Sequence, residues 1–181
     1  MGSGRCYEGE ENCRLEIGGG VRGIAHVYGD NIDTDRIIPG KYTKTLDLAH
    51  LAAHVLEDLD PQFSSRVKEG DILVAGENFG MGSSREQAPL ALKAAGVAAV
   101  VAGSFARIFY RNAINIGLPV VEIGRHGIES GNDVEVDLAD GAVEDLTAGR
   151  RYEASQMPEV MIAILKAGGL VAYLREHGDY E

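Results

Sequence analysis

Residues 71–123 read DILVAGENFGMGSSREQAPLALKAAGVAAVVAGSFARIFYRNAINIGLPVVEI and alternate short apolar runs with stretches of helical periodicity. Three runs bounded by turn residues have the composition of buried strands: 71–76, 98–102 and 118–123. Two stretches between them predict helices that each end at a glycine: 84–95 and 104–116. The order strand, helix, strand, helix, strand predicts a parallel sheet with right-handed crossovers.

The segments on either side extend this pattern. Residues 21–28 predict a further strand, residues 31–36 a polar loop, and the alternating stretches after Asp133 predict antiparallel hairpins. Three further helices are expected where apolar residues recur at helical spacing: 46–59, 158–166 and 170–177. Since no repeat or linker interrupts the chain, we predict one α/β domain over residues 21–181, preceded by a flexible N-terminal leader at 1–20.

Charge and composition narrow the class of partner. The chain has 17 Lys and Arg residues and 28 Asp and Glu residues, which gives a formal net charge of -11. This charge disfavours binding to nucleic acid and to anionic membranes. A few basic groups in a pocket can still bind an anionic metabolite. Two cysteines are too few for a disulfide framework. No apolar run reaches the roughly 18–20 residues of a membrane span, and the N-terminus lacks the pattern of a secretory signal peptide. We therefore predict a cytoplasmic protein.

The segment 76–86, GENFGMGSSRE, joins a predicted strand to a predicted helix. Ligands of α/β sheets bind at the carboxyl ends of strands, and a glycine-rich turn before a helix offers free N–H groups to an anion. Ser83 and Arg85 are therefore candidate site residues. A structural interpretation stays open, in which Ser83 or Ser84 caps the helix together with Glu86, but it gives Arg85 no role.

Other familiar sites do not fit the sequence. The segment 76–86 lacks the lysine of a P-loop and the third glycine of a dinucleotide-binding motif. It also lacks the Gly-x-Ser-x-Gly sequence of a nucleophile elbow, because Ser83 follows Gly82 directly. His50 and His54 lie four residues apart on a predicted helix without an evident third metal ligand, so we assign them to its surface. Cys6 and Cys13 cannot hold an iron–sulfur cluster alone. No metal site is predicted in this chain.

Three stretches together resemble the small subunit of the 3-isopropylmalate dehydratase and homoaconitase family: YGDNIDTDRIIPGKY at 28–42, residues 76–119, and GGLVAYL at 168–174. The Gly-Ser-Ser-Arg-Glu junction followed by SFARIFYRN at 104–112 is the most specific part. The resemblance implies the swivelling β/β/α three-layer domain of the aconitase superfamily, with a parallel βαβαβ core and antiparallel hairpins. It also implies a separate large subunit that carries a [4Fe-4S] cluster, with no cofactor bound by this chain.

The same resemblance assigns roles to residues. Ser83 is similar to the family's general base, which removes a proton alpha to a carboxylate, and Arg85 to its electrostatic support and carboxylate clamp. A serine acts as a base only as an alkoxide, which N–H donors and a guanidinium stabilise. Asp35 matches an acidic position that faces the active site, and Ser84 is expected to contact the substrate.

The loop 42–45, YTKT, matches the family's substrate-recognition loop, often Tyr-Leu-Arg-Thr, so Lys44 and Thr45 are expected to bind substrate. In the family, an apolar residue at the third position of this loop is associated with alkyl substrates, and Arg with substrates that have a further carboxylate. Lys44 occupies this position here and is neither apolar nor Arg. The implied function is a hydro-lyase small subunit that interconverts 2- and 3-isopropylmalate in leucine biosynthesis. Alternatives are a homoaconitase or dimethylmalate-type dehydratase, also acting on a hydroxy di- or tricarboxylate, or a stand-alone anion-binding module.

Overall fold

A computed structural model describes residues 20–178, so the predicted leader, apart from Gly20, and both cysteines lie outside the described residues. The described strands form a seven-stranded sheet in the order β4-β3-β2-β1-β5-β6-β7. Four neighbours run parallel: β1 Val21–Val27, β2 Ile72–Ala75, β3 Ala99–Ala102 and β4 Val120–Glu122. Three continue the sheet antiparallel: β5 Asp133–Asp137, β6 Ala142–Asp145 and β7 Arg150–Glu153. These strands confirm the predicted parallel core and hairpins.

Strand β1 belongs to both halves of the sheet. Its second half, Ala25 to Val27, pairs in parallel with β2. Its first half, Val21 to Ile24, pairs antiparallel with β5. The chain therefore connects the parallel and antiparallel halves within a single strand.

Alternate residues of the parallel strands face two separate cores. Leu73 and Val100 belong to the core that these strands form with the helices. Val74 and Val101 belong to a second core, shared with Val136 of the antiparallel half. Because both faces are covered, β2 and β3 are apolar at every position, as parallel strands in α/β proteins usually are. The result is the three-layer β/β/α arrangement that the family resemblance implies.

The described helices are short: α1 Thr34–Ile37, α2 Leu48–Ala53, α3 Phe63–Arg66, α4 Gln87–Ala94, α5 Arg107–Asn115, α6 Glu159–Lys166 and α7 Leu170–His177. Helices α4 and α5 connect β2 to β3 and β3 to β4, and α6 and α7 pack against α5. None of the helices within residues 20–178 is long and apolar enough to cross a membrane.

The helix predicted over 46–59 is shorter in the structure, where α2 ends at Ala53. Leu56 has a φ of 56°, which is incompatible with a right-handed helix. Its N–H donates to the carbonyl of Ile37 at 2.8 Å, and its side chain is fully buried. The apolar spacing in this segment therefore arises from a helix followed by a turn that returns Leu56 to the core.

The loop predicted at 31–36 contains the start of α1. The Asp33 carboxylate caps this helix by accepting the N–H of Arg36 at 2.8 Å, and Ile37 at its end is buried. The polar residues of this segment thus surround a short helix that the sequence pattern does not predict.

Candidate active site

The loops that follow β1 and β2 run side by side at the carboxyl ends of the parallel strands. The N–H of Gly80 donates to the carbonyl of Ile32 at 2.8 Å, and the N–H of Thr34 donates to that of Met81 at 2.8 Å. These bonds continue the parallel pairing of β1 with β2 beyond the strands. The Asp-Thr-Asp loop at 33–35 and the Gly-Ser-Ser-Arg-Glu junction at 82–86, which are about fifty residues apart in sequence, are therefore neighbours in space.

Ser83 is held by one threonine. The Ser83 hydroxyl lies 3.0 Å from Oγ1 of Thr34, and the Ser83 N–H donates to the same oxygen at 3.2 Å. Thr34 is only 1% exposed, whereas Ser83 is exposed. One side of the serine hydroxyl therefore rests on a buried polar group, and the other is open to a ligand.

Arg85 and Asp35 form an ion pair between Nη1 and Oδ1. The same Nη1 lies 3.4 Å from the carbonyl of Ile38, at the C-terminal end of α1. Among the described residues, Nε and Nη2 of Arg85 donate no hydrogen bond, and the side chain is 25% exposed. Asp35 thus fixes one side of the guanidinium and leaves donors for a carboxylate on the other.

Ser83 and Ser84 lie before the helix, contrary to the prediction that the helix begins at residue 84. Helix α4 begins at Gln87, its N-cap residue is Glu86, and no side chain caps it. Pro89 explains the later start, because a helix that began at residue 84 would need the missing N–H of Pro89 and would bring its ring against the carbonyl of Arg85. The N-cap interpretation of Ser83 and Ser84 is therefore wrong. Ser84 is exposed.

The loop 42–45 lies beside the start of α4. The Gln87 side chain donates from Nε2 to the carbonyl of Thr43 at 3.2 Å, which joins the loop to the segment that carries Arg85. Lys44 is exposed, and its side chain makes no hydrogen bond to the described part of the chain. Thr45 Oγ1 accepts the N–H of Asp47 at 3.0 Å, just before α2. The structure thus gives Thr45 a local structural contact, and it gives the Lys44 ammonium no partner among residues 20–178.

The base of this loop is anchored by Glu57. Its carboxylate accepts hydrogen bonds from Lys41 at 3.0 Å and from the Tyr42 hydroxyl at 2.9 Å, and lies 2.6 Å from Nδ1 of His54. The bond to His54 is the largest of the influences that lower the pKa of Glu57 to about 2. The ring of Tyr42 stacks on that of His54, with the two ring centres 3.8 Å apart. The ring of His50, in α2, contacts the other side chain of this pair, His54, edge to face. His50 is a helix-surface residue as predicted, whereas His54 lies just after the helix and anchors the loop.

Thr34 is the site residue that sequence reasoning missed. Thr34 lies between Asp33 and Asp35, and charged residues are the usual candidates for a site. It is nevertheless the Thr34 hydroxyl that contacts Ser83. Its position between charged residues gives no sign of burial. Only the pairing of the two loops reveals the role of its side chain.

Gly80 permits the close approach of the site loop to helix α5. It has a φ of 77°, and a Cβ built on it would lie 2.2 Å from Cγ of Phe109. We expect Gly80→Ala to destabilise the protein by about 3 kcal/mol or more, because backbone strain of about 1–2 kcal/mol adds to overpacking. The measurement is denaturant unfolding of the full chain.

Gly124→Ala is the matched control for this prediction. Gly124 has a φ of 66°, but a Cβ there would meet nothing within 4 Å. This variant should therefore show only the backbone cost of about 1–2 kcal/mol. Equal losses for the two variants would mean that Phe109 does not constrain the loop.

The profile of the Aconitase C-terminal domain family matches residues 21–125. The chain is 59% identical over 156 residues to a 3-isopropylmalate dehydratase small subunit of Caldicellulosiruptor saccharolyticus, a match that covers 85% of this chain and 90% of that protein. It is 55% identical over 151 residues to a methanogen homoaconitase small subunit of Methanothermobacter thermautotrophicus, covering 83% of this chain and 88% of that protein.

A solved structure shares the fold. The crystal structure of a 3-isopropylmalate dehydratase from Methanocaldococcus jannaschii superimposes with a TM-score of 0.84 at 46% sequence identity. The match covers 88% of this chain and 95% of the other. The similarity therefore extends over nearly the whole of the described fold.

Proposed function

Because the chain belongs to the family of 3-isopropylmalate dehydratase and homoaconitase small subunits in the aconitase superfamily, we propose that it isomerises 2- and 3-isopropylmalate together with a large subunit, in the cytoplasm. It is a hydro-lyase subunit, and the enzyme name of its relatives corresponds to leucine biosynthesis. The proposal rests on one observation above all: Ser83, Arg85 and Asp35 converge at one edge of the sheet, although Asp35 is distant in sequence.

Ser83 is the proposed general base. Its alkoxide oxygen takes the proton from the carbon alpha to a substrate carboxylate and becomes a hydroxyl, the C–H electron pair forms the double bond, and hydroxide leaves the adjacent carbon. Rehydration reverses these steps at the neighbouring position and returns the proton from Ser83. The exposed side of the hydroxyl supports this role because a substrate can reach it.

Arg85 is the proposed carboxylate clamp. Asp35 occupies Nη1, and the remaining N–H groups can pair with a substrate carboxylate in the planar, two-point geometry that suits a guanidinium. The positive charge also favours the alkoxide form of Ser83. Ser84, Lys44 and Thr45 remain proposed substrate contacts around this pair.

The cofactor of the reaction is proposed to belong to the large subunit. Within residues 20–178, no group of three or more His, Cys, Asp or Glu side chains is placed to hold a metal ion, so these residues do not fit a [4Fe-4S] cluster. Bound to the partner, the cluster would supply a Lewis acid for the departing hydroxyl. The relatives are named small subunits, which supports a large-subunit partner.

Exposed apolar side chains flank the site and are proposed to contact that partner. This apolar rim consists of Leu46, Leu48, Met81 and Ile108, which are between 41% and 72% exposed. Leu46 and Leu48 follow the loop 42–45, Met81 lies just before Ser83, and Ile108 is in the first turn of α5. Exposed apolar groups around a polar site are typical of a protein interface.

We expect Ile108→Asp to weaken binding of the large subunit by about tenfold or more, because a charge would replace a desolvated apolar contact. The measurement is a titration of the two purified subunits by light scattering or calorimetry. Val171→Asp is the control, since Val171 is 63% exposed at the start of α7, near the other end of α5. An Ile108→Asp variant that binds as tightly as wild type would contradict the placement of the interface.

The substrate is tested by assaying the reconstituted pair on 3-isopropylmalate, homocitrate and 2,3-dimethylmalate. We expect the highest kcat/KM on 3-isopropylmalate. The homoaconitase alternative is favoured by Lys44, whose ammonium has no partner within residues 20–178 and can neutralise a further carboxylate, and by the homoaconitase relative. Much faster turnover of homocitrate than of 3-isopropylmalate would establish that alternative.

A further inference from the structure

The backbone of Thr34 is hydrogen-bonded through both its N–H and its carbonyl. Its N–H donates to the carbonyl of Met81 at 2.8 Å, and its own carbonyl accepts the N–H of Ile38 at 3.0 Å. It is the first residue of α1 and is 1% exposed. A buried hydroxyl needs hydrogen-bond partners, and both of those that the structure gives to Thr34 Oγ1 belong to Ser83.

The two contacts indicate the direction of the hydrogen bond between the hydroxyls. The Ser83 N–H donates to Oγ1 of Thr34, and the Thr34 O–H, a buried donor, still needs an acceptor. The Thr34 O–H then has Ser83 Oγ, 3.0 Å away, as its acceptor among the described residues. With this polarity the Ser83 proton points away from Thr34, toward the open side of the site.

We propose that Thr34 is a positioning residue that donates a hydrogen bond to Ser83 Oγ and stabilises its alkoxide form. The proposal rests on the proposed role of Ser83 as general base. A donor already in place when the proton leaves costs no reorganisation, and a buried donor is stronger than one in water. Because Thr34 is buried and its hydroxyl contacts Ser83, its effect is exerted through Ser83.

The test compares Thr34→Val and Thr34→Ser in the complete two-subunit enzyme. Thr34→Val keeps the shape but removes the donor, so kcat should fall about 10²-fold while KM changes less than about threefold. Thr34→Ser restores the hydroxyl and should return kcat to within about fivefold of wild type. Full kcat in Thr34→Val, or an equal loss in Thr34→Ser, would overturn the proposal.

Thr147→Val is the matched control, because Thr147 Oγ1 also accepts a backbone N–H, that of Asp133 at 2.9 Å, but in the turn between β6 and β7. It should keep the wild-type kcat. If Thr34→Val fails to assemble, Thr34→Ala gives the same comparison, with the same result expected. Ser83→Ala separates the two proposals: activity in that variant refutes the base itself, whereas an inactive Ser83→Ala with a fully active Thr34→Val refutes only the role of Thr34.

Discussion

Replacing Ser83 with Ala is expected to lower kcat of the reconstituted enzyme by about 10³-fold, since a positioned general base contributes about 10²- to 10⁴-fold. The methyl side chain of Ala cannot accept a proton, and no other basic group is hydrogen-bonded to Ser83 among the described residues. KM should change little, because the carboxylate contacts assigned to Arg85 remain. Steady-state kinetics on 3-isopropylmalate measure both constants.

Ser84→Ala is the comparison for this variant. Ser84 is adjacent in the chain and exposed, and as a proposed substrate contact it should affect mainly KM, with kcat within about tenfold of wild type. Binding of the large subunit should match wild type in both variants. Thermal unfolding of Ser84→Ala should also match wild type, because Ser84 is on the surface. Ser83→Ala should lose about 1–3 kcal/mol of stability, because it removes the acceptor of the buried Thr34 hydroxyl. A Ser83→Ala enzyme with near-wild-type kcat would refute the assignment of the base.

Replacing Arg85 with Lys is expected to lower kcat/KM by about 10²-fold, chiefly through KM. An ammonium group is a point charge and cannot hold Asp35 and a substrate carboxylate with the separate donors of a planar guanidinium. A hydrogen bond to a charged group contributes about 1.5–3 kcal/mol, which corresponds to the expected loss in kcat/KM. Because Lys keeps the positive charge, the experiment separates the effect of the planar guanidinium geometry from the effect of the charge itself.

Arg66→Lys is the matched control, because Arg66 also pairs with an aspartate, Asp60, but on the α3 side of the domain. An exposed ion pair of this kind contributes about 0–1 kcal/mol, so kcat/KM should not change. If Arg85→Lys retained the wild-type kcat/KM, the pair with Asp35 would be a structural link between two loops, and another group would bind the carboxylate.

The parallel core was predictable from sequence for a physical reason. Strands covered on both faces must be apolar at every position, so Ile72–Ala75 and Ala99–Ala102 stand out from their polar surroundings. The glycines after both crossover helices mark where those helices end. Periodicity cannot show where tertiary contacts interrupt a helix, and so the segment around Leu56, drawn to the carbonyl of Ile37, was predicted wrongly.

The start of α4 at Gln87, three residues after the predicted start, follows from a local rule. Pro89 restricts how many helical residues can precede it, and that local rule outweighs the apparent cap at Ser84. The convergence of Asp35 with Arg85, and of Thr34 with Ser83, depends on the alignment of two loops at the ends of β1 and β2. A single sequence contains the residues of those pairs but not the register that brings them together.

This chain is proposed to complete an active site only together with an iron–sulfur large subunit. The most direct measurement is the turnover of 3-isopropylmalate by this chain alone, by the cluster-loaded large subunit alone, and by the two titrated together. Neither chain alone should turn over 3-isopropylmalate. When this chain is added to the large subunit, turnover should rise to a plateau at a fixed ratio of the two subunits. Turnover by this chain alone, or none from the saturated mixture, would contradict the claim.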